Sequence, residues 1–95
     1  MPAVCRLGDG CTGHGGFPPR VNDVGSGNVN ANGIPVHRSG DHWVTHCSGI
    51  PCHDSSLAAG SGTVKVNGMD CGRVGDPIGC GSTVAAGSGN VFAGG

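Results

Sequence analysis

The chain has 95 residues, with 21 Gly, 6 Pro and three aromatic side chains, Phe17, Trp43 and Phe92. So much glycine and proline, set against roughly 12% in an average protein, excludes a helix bundle, and so few large side chains exclude an ordinary apolar core at a length already marginal for one. A formal charge of -1 excludes the electrostatic footprint of a nucleic-acid or anionic-membrane binder. Stability must then come from a staple, for which 6 Cys and 5 His are the candidates. The start MPAVCRLGD has no basic or apolar signal region, and no apolar run reaches membrane-spanning length. The expectation is synthesis in the cytoplasm without stable membrane insertion, where cysteine reads first as a metal ligand and only second as half of a disulfide.

In chain order, residues 2–7 read as a short strand with no local partner. It runs into RLGD at 6–9, the first of three R-x-G-D tetrapeptides; RSGD at 38–41 and RVGD at 73–76 are the others. The stretch GDGCTG at 8–13 matches G-x-G-x-x-G, but no βαβ unit follows, so it predicts no dinucleotide site. GSGNVNANG at 25–33 opens an alternating stretch with Val29 and Ala31 on one face, turns at Asn32-Gly33, and returns through 34–38 as a hairpin. GSGTVKVNG at 60–68 repeats the pattern with Val64, Val66 and the turn Asn67-Gly68, returning through 69–74. GSGNVFAGG at 87–95 begins a third copy with Val91 and Ala93 but has no return strand. Pairing of 90–93 with the N-terminal strand supplies one. The expected fold is therefore all-β, a single domain over 1–95 of three equivalent hairpins in pseudo-threefold arrangement, with Val4, Val36 and Cys71 at equivalent positions. Cys71 then reads as a small buried hydrophobe.

The segments between R-x-G-D and GSG hold most of the Cys and His. Counted from the Asp of each tetrapeptide, His14 and His46 lie five residues on and Cys80 four, so each copy offers one ligand at nearly the same place. The middle segment adds His53, because His46-Cys47 and Cys52-His53 mirror each other about SGIP, where Gly49 and Pro51 favour a turn. His14, His46, His53 and Cys80 together make a His3Cys set whose geometry and softness suit Zn²⁺. The competing ligands are His42, Cys47 and Cys52, and Cys47 with Cys52 also has the spacing for a disulfide. His37 and His42 have polar neighbours and read as surface groups, Cys5 and Cys11 as buried thiols, and Arg6, Arg38 and Arg73 as partners of the adjacent Asp. Two rival functions are a zinc hydrolase, with Asp54 beside His53 as the one acid or base candidate, and a disulfide-rich binding module.

The sequence resembles the PAAR-motif proteins, which cap the spike of type VI secretion systems and contractile phage tails. The Pro-Ala-Ala-Arg element is represented by Pro35-Val36-His37-Arg38 and, less closely, by Asp70-Cys71-Gly72-Arg73 and Ala3-Val4-Cys5-Arg6. The R-x-G-D and GSG repeats and Gly79-Cys80-Gly81 extend the similarity over almost the whole chain. The resemblance implies a small β cone with zinc near its vertex, held by three His and one Cys, with His14, His46, His53 and Cys80 as the positions to carry over. It implies a structural tip, not an enzyme, that docks one chain per trimer on a β-helical spike, of the VgrG type or a phage central spike. Such a tip is made in the bacterial cytoplasm and leaves with the spike or stays on the tail, touching the target membrane only transiently. Val29, Val64, Val66 and Val91 are the expected docking residues. No extension flanks the repeats, so no fused toxin is expected.

Overall fold

The computed structural model describes residues 1–49 and 51–94. It is all-β, with no helix among the described residues, and elongated, with extents of 37 × 23 × 22 Å. Among the described residues six strands form three antiparallel pairs: β1 (Asn30–Ala31) with β2 (Ile34–Pro35), β3 (His42–Cys47) with β4 (Cys52–Ser56), and β5 (Lys65–Val66) with β6 (Met69–Asp70). The β1–β2 and β5–β6 hairpins turn at Asn32-Gly33 and Asn67-Gly68, and all four turn residues have positive φ, as the type I′ turn requires.

Each hairpin opens in the same way. The buried Ser26, Ser61 and Ser88 hydroxyls each accept from the backbone N–H groups two and three residues on, at 3.2 and 2.9 Å in every copy. The first glycine of each GSG lies against the returning strand. A Cβ on Gly60 would sit 2.5 Å from the Cys71 carbonyl, and one on Gly87 2.6 Å from that of Val4. The third copy is completed by the chain's other end, since Val4 N–H donates to the Val91 carbonyl at 2.9 Å and Ala93 N–H to that of Pro2 at 3.0 Å. These bonds match Val36 to Val29 and Cys71 to Val64, both 3.0 Å. Gly95 and Ile50, which belong to the expected third turn and the SGIP turn, lie outside the described residues.

The return strands are shorter than the sequence suggests, because each leaves its own hairpin after two residues and pairs with its neighbours. Bridges join Arg6 to Val36, Arg38 to Cys71 and Val4 to Arg73. Between them Cys5 N–H donates to Gly72, Gly72 to His37 and His37 to Cys5, at 2.8, 2.9 and 3.0 Å, a closed ring of three backbone bonds. Each R-x-G-D then makes a turn in which the Asp carboxylate accepts from the backbone N–H and the guanidinium of its Arg, with ion pairs of 3.1, 2.9 and 2.9 Å. Such charge-assisted forks hold a turn firmly.

Two small cores result. One lies between the hairpins and contains Val4, Val36 and Cys71 with Ala31, Val66 and Ala93; burial raises the Cys71 thiol above its ordinary pKa. The other lies between the inserts and contains Cys5, Cys11, Trp43, Leu57, Ile78 and Val84. Three expectations need correction. Val66, assigned to the docking surface, is 5% exposed: the serine-capped turn takes up Val64, which is 38% exposed, and alternation begins only at β5, whose second residue faces inward. His37, read as a surface group, is fully buried, with Nδ1 donating to the Val24 carbonyl at 2.7 Å and the ring edge-on to Trp43. Desolvation lowers its pKa and keeps it neutral. The longest strands are in the middle insert, where only a turn was expected.

Candidate metal centre

The three inserts lie side by side beyond the ring. Insert one (10–24) pairs with insert two (42–59) through Asn22 and Trp43, insert two with insert three (77–86) through Leu57 and Ile78, and insert three returns to insert one through Val84 and Cys11. Each presents its candidate ligands from a different local device. In insert one, His14 and Phe17 exchange backbone bonds of 3.0 and 2.7 Å around Gly15-Gly16. In insert two, His46 and His53 face each other across the β3–β4 ladder, one pair before Cys47 and Cys52. In insert three, Ile78 accepts from Gly81 N–H at 3.0 Å and donates to Ser82 at 2.8 Å, closing a tight loop with Cys80 near its apex.

These placements bring together His14, His46, His53 and Cys80, whose ligand atoms all lie within 4.8 Å of one another. His53 Nε2 is 3.0 Å from His14 Nε2 and 2.6 Å from His46 Nε2. His46 Nδ1 donates to the Pro18 carbonyl at 2.8 Å, which leaves its Nε2 as a lone pair aimed into the cluster. Lost hydration, and then His46 and His14, push His53 below the ordinary histidine value. Three imidazole nitrogens converging at such distances cannot all satisfy one another by hydrogen bonds. A divalent cation accepting all three lone pairs and a thiolate would satisfy them. The donor set therefore fits a metal ion.

The competing ligands are otherwise engaged. Cys47 and Cys52 form a disulfide. His42 donates from Nδ1 to Asp23 at 2.7 Å and from Nε2 to Asp54 at 2.8 Å, so Asp54, the proposed acid or base, faces away from the cluster toward His42. Val29 and Val64 are exposed, while Val91 packs partly buried against the hairpin core.

Two residues at the centre were missed in the sequence. Phe17 stacks on His53 at 4.1 Å and on His14 at 4.8 Å and lies 4.9 Å from His46, covering all three imidazoles. Arg20 is buried and contacts both Cys11 and Cys80. For Cys11, burial opposes ionisation, but hydrogen bonds from Ser82, Arg20 and Gly13 outweigh it and lower the thiol pKa. The signal for Arg20 was available: it is the one Arg outside an R-x-G-D.

A family profile described as PAAR motif matches residues 7–86. The chain is also similar to two toxins of Pseudomonas aeruginosa, the NAD(P)(+) glycohydrolase toxin Tse6 and the (p)ppApp synthetase toxin Tas1, each 36% identical over 77 residues. The matched stretch is 75% of this chain but 18% of either toxin.

Proposed function

The chain belongs to the PAAR-motif family, and from that membership we propose that it is the zinc-stapled tip of a type VI secretion spike, capping a trimeric β-helical protein of the VgrG type. The observation that carries this reading is the recurrence of one set of contacts in three copies that close on each other. The hairpin interlocks illustrate it. Arg38 Nη1 and the Ser26 hydroxyl bond the Asn67 side-chain carbonyl, Arg6 and Ser88 do the same to Asn32, and Arg73 and Ser61 to the backbone carbonyl of Gly94, which stands where the turn Asn stands elsewhere. A single chain with an approximate threefold axis can match a trimer at its end, which three identical chains present symmetrically. The toxin relatives favour a secretion system over a phage tail.

In this reading zinc is held by His14, His46, His53 and Cys80 and, when bound, cross-links the three inserts at the narrow end. The chain's own residues do the rest: Pro18 orients His46, Phe17 excludes water from the ring faces, and the β3–β4 register presents His46 and His53 together. With four protein donors and Asp54 turned to His42, the site is closed and structural rather than hydrolytic. The enzymatic activities named for the two toxins are not carried over. Synthesis in the bacterial cytoplasm and departure with the spike complete the proposal; no described helix is long and apolar enough to cross a membrane.

Native mass measurement of the chain mixed with the C-terminal β-helix of a candidate spike tests the docking. The expected complex has one chain per trimer and is lost in Val64→Asp, and to a lesser degree in the half-buried Val91→Asp, with zinc content unchanged. Three chains per trimer, or undiminished binding by both variants, overturns it.

A further inference from the structure

Of the four arginines, Arg6, Arg38 and Arg73 pair with aspartates, whereas Arg20 takes part in no ion pair among the described residues. It is only 8% exposed. Its guanidinium is fully directed inward, with Nε donating to the Val44 carbonyl at 2.6 Å, Nη1 to Cys11 Sγ at 3.1 Å and Nη2 to Cys80 Sγ at 3.3 Å. Cζ lies 5.5 Å from the centroid of the Trp43 ring beneath it. A guanidinium does not lose its proton in a protein, and a desolvated cation needs a compensating charge. Of the three hydrogen-bond acceptors of the Arg20 side chain, the Val44 carbonyl and the two sulfurs, only the sulfurs can carry a charge.

We infer that Arg20 is the positioning residue of the metal centre, orienting the Cys80 sulfur toward the ion and shielding it by hydrogen bonding. This rests on the metal-binding reading above. The planar fork is what makes the role specific. Arg20 belongs to insert one, Val44 to insert two and Cys80 to insert three, so one rigid group sets the sulfur against both other inserts; a lysine ammonium has no such fixed geometry. A metal-bound thiolate keeps a lone pair that electrophiles attack, and an N–H donated into that lone pair lowers its nucleophilicity. Cys11, held by the second tine, anchors the fork to its own insert. Outer partners of this kind change metal affinity by about tenfold to a hundredfold when removed.

The test compares wild type with Arg20→Gln and Arg20→Lys, each loaded with Zn²⁺ or Co²⁺. Wild type is read first, and failure to bind either ion would overturn the metal-binding reading itself, before any variant is made. Given binding, both variants should pass their ion to a chelator about tenfold to a hundredfold faster, with Arg20→Lys the less affected. The sulfur-to-cobalt charge-transfer band should move to longer wavelength, and iodoacetamide should release the metal faster. Unchanged transfer rates and an unmoved band in both variants overturn the inference. If the variants do not fold, wild type carrying a spin-half cadmium isotope decides: the Arg20 Nη2 proton should couple to the metal through the Cys80 sulfur. No such coupling, with the histidine couplings present, overturns it as well.

Discussion

His42 can donate to both Asp23 and Asp54 only as the imidazolium. The Asp54 bond, and then the Asp23 bond, raise its pKa above 6.5, while the His42 bond lowers that of Asp54 below 3.8. A raised folded-state value means stability that is fully present below the unfolded value of 6.5 and is lost as pH climbs through the folded one. The lowered carboxylate works in the opposite sense, contributing above 3.8 and fading as pH falls. The clamp between insert one and β3–β4 is therefore strongest between those two values. His42→Ala and wild type, melted side by side at fixed metal loading, should differ most between pH 3.8 and 6.5 and converge as pH climbs past the raised His42 value, with Asp54→Asn reproducing part of the loss. A difference that grows above pH 7 would show that the clamp does not act through the imidazolium. This partly exposed clamp adds little to overall stability, and its deletion should leave the metal bound.

At the scale of elements, β3–β4 joins two copies' worth of chemistry on one ladder, because the Cys47–Cys52 disulfide closes the hairpin one pair beyond His46 and His53. Closing a loop of this length removes chain entropy equivalent to about 2 kcal/mol, and here it also removes freedom from two of the four proposed ligands. Reduction should speed metal transfer to a chelator without abolishing binding, since the ladder bonds persist. Transfer rates indistinguishable between oxidised and reduced protein would separate the disulfide from the site. The four clustered residues are legible in the sequence because a shared origin, the R-x-G-D aspartate, puts His14, His46 and Cys80 in register, and the mirrored pairs about SGIP add His53. The hairpins were legible from their Asn-Gly turns. β3–β4 was not, because HWVTHC and CHDSS lack a period-two apolar pattern; what holds them is the disulfide and the neighbouring inserts. The burial of His37 was hidden for a related reason. Its place is set by the ring of backbone bonds with Cys5 and Gly72, a long-range contact that local polarity does not report. Phe17 and Arg20 were passed over because no repeat marks them.

The whole molecule is two thin layers joined at that ring. The hairpin layer buries three valines, two alanines and Cys71, and the insert layer's large apolar groups are Trp43, Leu57 and Ile78. At about 25 cal/mol per Å² such groups return little, while a glycine-rich chain loses more backbone entropy on ordering than most. A structural zinc contributes on the order of 10 kcal/mol, and held by the proposed set of His14, His46, His53 and Cys80 it would act where all three inserts meet. Because Cys5 lies in the insert core and its neighbour Val4 in the hairpin core, neither layer can open without disturbing the ring. The hairpin layer, whose buried core holds no side chain larger than valine, has little to sustain it alone. Chelation should therefore unfold both layers in one transition. Trp43 fluorescence would report the insert layer and the Val4 and Val66 methyl resonances the hairpin layer, and the two should disappear at the same chelator concentration. Methyl signals that survive after Trp43 has become solvated would mean that the hairpins fold independently and that zinc stabilises only the point.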